Sequence, residues 1–170
     1  MPKLIDLDGK PIANDWLLLE KDSNASSALA QDAAKLLVPL QLWLNSKTDL
    51  LSSGKIIAVW LDAGENVAAL ADDLAKLPML ALNFPAFMDG RSYSSAANLR
   101  QHYKFTGEVR AIGDVLRDQL FYMRRCGFTT FDLKDSVKLE DASAAMHDLS
   151  DNYQSTIEQP QPLFRRRQDA

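Results

Sequence analysis

The stretch KIIAVWLD at residues 55–62 decides the predicted fold class, because a run of apolar, mostly β-forming residues lies between two charged ones. Continuous apolar runs of this length are typical of strands that are buried on both faces of a parallel sheet. A second run of the same kind, MLALNF, follows at residues 79–84 and is closed by Pro85. Together the two runs predict an α/β protein with a parallel sheet.

The remaining segments alternate between strand and helix patterns. Shorter strands are predicted for DWLLLE, EVRAI and FTTFDL at residues 15–20, 108–112 and 128–133, and the first of them is expected to be buried. Helices are predicted from Pro39 onward and over residues 65–77, 95–103, 114–125 and 139–149, and Gly127 is expected to end the helix at residues 114–125. This alternation indicates βαβ units. We therefore expect a single α/β domain over residues 1–158, with a mostly parallel, doubly wound sheet of about five strands flanked by helices. A half-barrel of βα units is the alternative, and residues 159–170 are expected to be a disordered tail.

Composition excludes several classes of function. The chain has 170 residues and a net charge of −4, which argues against nucleic acid as a general partner. No apolar run approaches the roughly 18–20 residues that span a bilayer, and the N-terminus lacks a signal-peptide core, so we expect a cytoplasmic protein without membrane contact. One cysteine and two distant histidines predict neither a disulfide nor a metal site.

Two polar blocks follow predicted strands, namely DGRSYSSAANLR at residues 89–100 and RAIGDVLRDQ at residues 110–119. In open parallel sheets, ligands bind beyond the carboxyl ends of the strands. Helix N-termini and arginines at that edge predict a site for sulfate, phosphate or a carboxylate. The candidate ligand-binding residues are Asp89, Gly90, Arg91, Ser94, Arg100, Arg110, Asp114, Arg117 and Gln119.

A structural interpretation competes with this site. Asp89 and Gly90 form an ordinary turn sequence, Ser94 or Ser95 is an ordinary helix N-cap, and Asp114 is another. Arg117 can pair with Asp114, and Gln119 can satisfy a buried backbone group. The chain contains no GxGxxG, Walker A, GxSxG or HExxH motif, so we predict no cofactor.

The predicted helix at residues 114–125 has one aromatic residue out of place. On a helical wheel, Tyr122 falls on the apolar arc, whereas Phe121 lies among charged residues. An aromatic ring flanked by Arg and Asp indicates a surface that something covers, so Phe121, Arg124 and Arg125 are candidate contacts for a partner or a second copy. Cys126 follows at the helix end, where a small buried thiol is favoured over a reactive one.

Two segments carry a family resemblance, NFPAFMDGRSYSSAANLR at residues 83–100 and GEVRAIGDVLRDQLFYMRRCGFTTFDL at residues 107–133. They resemble an uncharacterised bacterial family, a domain of unknown function with the patterns FPxFxDGRxxSxAxxLR and GExRAxGDVxxDQxxxxxRxGFDxF. Its members are associated with oxidoreduction in sulfite reduction and are encoded beside assimilatory sulfite reductase. One departure is Thr129, where an Asp is usual; if that Asp has a role at the strand start, this chain lacks it.

The resemblance implies a role in assimilatory sulfur metabolism, and two hypotheses follow. In the first, the protein is an accessory factor without established catalysis that contacts sulfite reductase or its electron donor. In the alternative, it is a small oxidoreductase or an enzyme that binds an oxyanion or acidic metabolite at the Asp89-Gly90-Arg91 turn. No flavin, nicotinamide or iron–sulfur motif is visible, so whether the protein is an enzyme stays open at this point.

Overall fold

A computed structural model describes residues 3–146, 155–157 and 159–166. The described chain forms one mixed α/β unit around a single seven-stranded sheet. The strands are Lys3–Ile5 (β1), Leu17–Leu18 (β2), Lys35–Pro39 (β3), Ile56–Leu61 (β4), Met79–Phe84 (β5), Glu108–Gly113 (β6) and Thr130–Leu133 (β7).

The strand order is β1-β7-β6-β5-β4-β3-β2. Strands β2 to β7 are parallel and stand in sequence order, and β1 pairs antiparallel with β7. A doubly wound sheet reverses its order at one point, whereas here every crossover leads to the next strand in the same direction. This single winding matches the alternative prediction, a half-barrel flanked by helices.

The predicted count of about five strands is wrong, because β1 and β3 were missed. In addition, β2 is shorter than expected. The strand Lys35–Pro39 was missed because Pro39 favours the start of a helix, and a helix does begin directly after it, at Leu40. Strand β1 has only three residues, too few for a recognisable pattern. Leu17 and Leu18 of β2 are both exposed, although this strand was predicted to be buried.

The helices are Ala25–Leu29 (α1), Leu40–Ser52 (α2), Arg91–Gln101 (α3), Leu120–Cys126 (α4), Leu139–Ala145 (α5) and Leu163–Arg166 (α6). The amphipathic segment at residues 65–77 is not an α-helix but two 3₁₀ turns, Val67–Leu70 and Leu74–Lys76. Gly127 ends α4 in the left-handed conformation, as predicted. The end of the predicted last helix, residues 147–149, lies outside the described residues.

All the helices that contribute to the main core pack on one face of the sheet. On this outer face, Val59, Leu80 and Val109 from neighbouring strands meet side chains such as Trp43 of α2 and Leu99 of α3. The opposite, inner face carries a separate and smaller apolar cluster, formed by Leu37, Ala58, Trp60, Met79, Ala81 and Ile112. A half-barrel therefore has two different faces to protect from water.

The segment at residues 6–16 must cross the sheet, because β1 and β2 lie at opposite edges. Trp16 packs against the inner apolar cluster. The side-chain oxygen of Asn14 accepts a hydrogen bond from Arg110 Nη1 at 3.0 Å, on strand β6. The connection thus covers part of the inner face, to whose apolar cluster none of the described helices contributes.

Candidate functional site

Polar side chains gather at the carboxyl edge of the sheet, where the parallel strands end. Two adjoining cavities of about 410 Å³ and 150 Å³ lie there and share Asn83 and Gly113 in their linings. The larger is also lined by Asp114 and Lys134, and the smaller by Glu20 and Trp60. We call these two cavities the edge cleft.

Asp62 directly follows β4 and is held from two sides. Its carboxylate accepts a hydrogen bond from Asn83 Nδ2 at 2.9 Å and pairs with Lys21 Nζ at 2.5 Å. The ion pair with Lys21 is the main reason that the pKa of Asp62 lies below its usual value. Asp62 is therefore ionised at neutral pH and fixes the position of Asn83 in the cleft.

Gly113 allows the strands to approach closely at the cleft. Its φ is +92°, and a Cβ atom there would lie 2.3 Å from Asn83 Oδ1 and 2.5 Å from the Phe84 carbonyl oxygen. A side chain at this position would thus displace Asn83 and strain the backbone. Among the residues of this edge that the sequence singled out, Gly113 is the one whose identity has a strict steric reason.

Asp114 does not cap a helix, although the sequence favoured that role. The segment after it is extended until a 3₁₀ turn at Arg117–Gln119, and α4 starts only at Leu120. Instead, one carboxylate oxygen pairs with Lys134 Nζ at 2.5 Å, and the other accepts the Phe87 N–H at 3.1 Å. The pair with Lys134 lowers the pKa of Asp114.

A run of exposed apolar residues follows β5 at residues 85–88, with sequence PAFM, and we call it the apolar turn. Met88 is 93% exposed and Phe87 is 50% exposed. The turn is closed by a hydrogen bond from the Asp89 N–H to the Ala86 carbonyl oxygen at 3.0 Å. Its conformation is fixed although its side chains face solvent.

Two polar side chains hold the backbone of the apolar turn. Asp114 accepts the Phe87 N–H, and Gln119 Nε2 donates to the Phe87 carbonyl oxygen at 3.3 Å. Gln119 is only 6% exposed and also accepts the Leu116 N–H at 2.9 Å. The prediction that Gln119 satisfies buried backbone groups is confirmed, and those groups belong to the turn and to the start of the next helical segment.

The Asp89-Gly90-Arg91 block stands beside the turn. Arg91 donates two hydrogen bonds to the Asp89 carboxylate, from Nε at 2.9 Å and from Nη2 at 2.5 Å. These bonds lower the pKa of Asp89 to about 2. A Cβ on Gly64 would lie 2.6 Å from Arg91 Nη1, so the guanidinium also lies against the loop after β4.

The predicted N-cap at Ser94 is wrong, because α3 begins three residues earlier, at Arg91, with Gly90 in the cap position. Ser94 is exposed within the helix. The serine that contributes to the edge is Ser92, whose buried hydroxyl donates to the Asn83 carbonyl oxygen at 2.7 Å.

Two predicted site residues lie elsewhere. Arg100 is at the opposite, amino edge of the sheet, where it donates to the carbonyl oxygens of Phe105, Gly107 and Gly127. Arg110 is 3% exposed on the inner face and pairs with Glu108 at 2.8 Å. Neither shares a partner with Arg91, so the structure does not assemble the predicted arginine cluster.

Arg117 pairs with Asp118 at 3.4 Å, and not with Asp114 as expected. Asp114 is already engaged by Lys134 and the apolar turn, and the backbone between the two residues is not helical. Side chains at positions i and i+3 are neighbours on the surface of a helix, and Asp114 and Arg117 do not lie on one helix.

The wheel for residues 114–125 is right for Val115, Leu120 and Met123, which are fully buried, and wrong for Tyr122. The segment is not one regular helix, because a 3₁₀ turn with about three residues per turn precedes α4. Tyr122, predicted to be buried, is 51% exposed, whereas Phe121 is partly buried. The guanidinium of Arg125 lies 5.9 Å from the centre of the Tyr122 ring, and Arg124 donates to the Met146 carbonyl oxygen at 3.4 Å.

Cys126 is half-buried at the end of α4. Burial raises the pKa of its thiol, so the thiolate is disfavoured at neutral pH. Thr129, the departure from the family pattern, accepts the Val109 N–H at 3.0 Å through its hydroxyl. An Asp could accept the same bond, so Thr129 retains this contact at the strand start.

Three carboxylates near this edge are held in the ionised form by neighbouring cations. The carboxylates of Asp62, Asp89 and Asp114 all have lowered pKa values, and each is paired with a cation. A general acid or base needs a pKa near the working pH. Among the described residues, no group of three or more His, Cys, Asp or Glu side chains could hold a metal ion.

Several residues of this edge escaped the sequence interpretation, namely Lys21, Asp62, Asn83, Phe87, Met88 and Lys134. Asp62 and Lys134 directly follow predicted strands, so the rule that selected Asp89 and Asp114 would have found them too. The signal for Phe87 and Met88 was the continuation of apolar residues beyond Pro85, where a strand had already ended.

In the part of the chain that the structure describes, no helix has the length and apolar character needed to cross a membrane.

Comparison with known proteins adds a family and nothing on activity. No curated protein and no solved structure shows significant similarity to the chain. The family DUF934, described as "Bacterial protein of unknown function", matches residues 58–164, which is more than half of the sequence. The chain belongs to this bacterial family.

Proposed function

We propose that the protein is a non-catalytic accessory factor of assimilatory sulfite reduction, which binds the reductase or its electron donor through the apolar turn. The observation that supports this function is the exposure of Met88, at 93%, beside Phe87, at 50%, in a turn of fixed conformation. The sulfur context rests on the resemblance of the two sequence segments described above. The cytoplasm, where assimilatory reduction takes place, is the compartment that the proposal requires.

An exposed apolar run on a rigid support is suited to binding a protein. Contiguous apolar surface on a monomer marks interaction sites more often than isolated apolar residues do. The bonds from Asp114 and Gln119 fix the backbone of Phe87 before a partner arrives. Preorganisation of this kind lowers the entropy cost of association. The turn therefore replaces Phe121, which is partly buried, as the centre of the proposed contact surface.

Among the described residues, the pairing of three edge carboxylates favours an accessory role over catalysis. Asp62, Asp89 and Asp114 are each paired with a cation, and their positions serve the turn and the strand ends. An enzyme built on this edge would need at least one carboxylate with a raised pKa or a nucleophile in the cleft.

The test is a binding measurement with purified sulfite reductase and with its electron donor, each immobilised in turn. The double variant Phe87→Ser/Met88→Ser is expected to bind at least about tenfold more weakly than the wild type, since central apolar anchors dominate interfaces. The matched control is Leu44→Ser/Leu51→Ser on α2, whose side chains are 45% and 47% exposed. If neither protein binds the wild type, or if both double variants bind equally well, the proposal fails.

A second candidate function, binding of a small oxyanion, is favoured by the orientation of three ion pairs. In the pairs of Lys21 with Asp62, Arg91 with Asp89 and Lys134 with Asp114, the cation is 51–62% exposed and the carboxylate only 15–23%. Positive groups thus face solvent around the edge cleft, although the whole chain is acidic.

Thermal-shift measurements with sulfate, sulfite, phosphate and adenylyl sulfate test this second candidate. A bound anion should raise the unfolding midpoint of the wild type more than that of an Arg91→Ala variant. Lys10→Ala is the control, because Lys10 pairs with Asp8 on an exposed loop. Equal shifts in the three proteins would reject an anion site at this edge.

A further inference from the structure

We infer that Met88 is the most oxidation-sensitive residue in the described part of the chain, and that its conversion to the sulfoxide by a hydroperoxide switches off docking through the apolar turn. The selectivity of the oxidation is a property of the fold alone. The effect on docking rests on the proposed function.

Exposure separates Met88 from the other methionines that the structure describes. Met79, Met123 and Met146 are at most 1% exposed and belong to the two apolar clusters, whereas Met88 is 93% exposed. Oxidation of a thioether requires access of the oxidant to the sulfur atom. The three core methionines are therefore protected for as long as the protein stays folded.

Cys126 does not compete for a mild oxidant. Its thiol is half-buried at the end of α4, and burial raises its pKa. Peroxides react with the thiolate, which is scarce under these conditions. We therefore expect the lone cysteine, the first residue one would examine for redox sensitivity, to react more slowly than the methionine at the surface.

The chemical step is a two-electron oxygen transfer. A lone pair on Met88 Sδ attacks one oxygen of the hydroperoxide, the O–O bond breaks, and an S–O bond forms. The leaving hydroxide takes up the proton of the transferred hydroxyl and becomes water, so the thioether is oxidised to a sulfoxide and hydrogen peroxide is reduced to water. A sulfoxide reductase supplied with thiol electrons can reverse the change.

The effect of oxidation on stability and docking follows from the position of the Met88 side chain. Met88 contributes almost no buried surface to the fold, so its sulfoxide should leave the stability unchanged. The sulfoxide is polar and strongly hydrated, and it stands where the proposed partner requires an apolar contact. Burying it without a hydrogen-bond partner costs free energy, and the complex is weakened.

The experiment treats the full-length protein with dilute hydrogen peroxide and follows each methionine and Cys126 by peptide mass spectrometry. We expect Met88 to gain one oxygen at least about tenfold faster than Met79, Met123 or Met146, and before Cys126 is modified. Earlier oxidation of Cys126 or of a core methionine would overturn the selectivity. Peroxide treatment after unfolding in urea is the control, because it should oxidise all of these methionines at similar rates.

Binding to immobilised sulfite reductase or its donor, before and after the same treatment, tests the switch. The oxidised wild type should bind at least about fivefold more weakly, whereas the affinity of a Met88→Leu variant, compared with itself, should not change on treatment. Unchanged binding by protein that carries the Met88 sulfoxide would refute the switch and leave the docking proposal intact. A lack of binding before treatment would refute docking and switch together, while the peptide map still decides the selectivity.

Discussion

Helix α3 carries an arginine at each end, and the two arginines meet opposite edges of the sheet. Arg91 lies at the carboxyl edge, where its side chain is 62% exposed and its only described ion pair is with Asp89. Arg100 lies at the amino edge, where it is partly buried and its guanidinium donates to three backbone carbonyl oxygens. Both arginines were candidates for ligand binding in the sequence. An arginine that satisfies buried backbone groups is therefore part of the fold, whereas an arginine held by a single carboxylate is available for binding.

Replacement of Arg100 should have the largest effect on stability. In Arg100→Met, the carbonyl oxygens of Phe105, Gly107 and Gly127 lose a charged donor, and we expect a loss of about 3 kcal/mol in the free energy of unfolding. Arg91→Met should leave the urea midpoint almost unchanged, because exposed ion pairs contribute little. Similar midpoints for the two variants would remove the distinction between the edges.

A smaller effect is expected from crowding the carboxyl edge. Gly113→Ala places a methyl group against Asn83 and the Phe84 carbonyl oxygen at a left-handed φ, whereas Gly54→Ala at φ +74° meets no atom within 4 Å. Both variants carry the backbone strain, so their difference isolates the steric term, for which we expect about 2 kcal/mol. Urea denaturation measures both. A Gly54→Ala variant as unstable as Gly113→Ala would mean that the cleft has room to adjust.

The smallest effects concern two carboxylates that shift in opposite directions. The folded-state pKa of Asp89 is about 2, below its ordinary 3.8, so its contribution to stability is present above 3.8 and is lost as the pH falls toward 2. Burial raises the pKa of Asp132 on the inner face, and its contribution decreases as the pH rises from 3.8 through that raised value. Carbonyl-carbon NMR titrations measure both midpoints.

The Arg91→Met variant is the control for these titrations. It should return the pKa of Asp89 toward 3.8, since the bonds from Arg91 are the main cause of its shift. The pKa of Asp132 should stay where it is, because the nearby cation that affects it is Arg110. A change at both carboxylates would show that the two faces of the sheet are coupled at these positions.

Sequence patterns predicted the central strands well and the site only in part. The apolar runs that became β4 and β5 were long and uninterrupted, and such runs have one main interpretation. The amphipathic pattern at residues 65–77 was just as regular, yet the chain there forms two 3₁₀ turns. The spacing of apolar residues shows which of them share a face. It does not distinguish a 3₁₀ turn from an α-helical turn, because over a few residues both bury similar sets of side chains.

Local sequence by itself determined that this chain has a parallel α/β core, because strand burial on both faces leaves a continuous apolar run. It also determined where Gly127 ends a helix, since a left-handed cap favours glycine. Which polar residues come into contact depends on the tertiary structure alone. Asp62 with Lys21, and Asp114 with Lys134, are joined across 41 and 20 positions. Strand order and sheet curvature set such distances, and no local pattern encodes them.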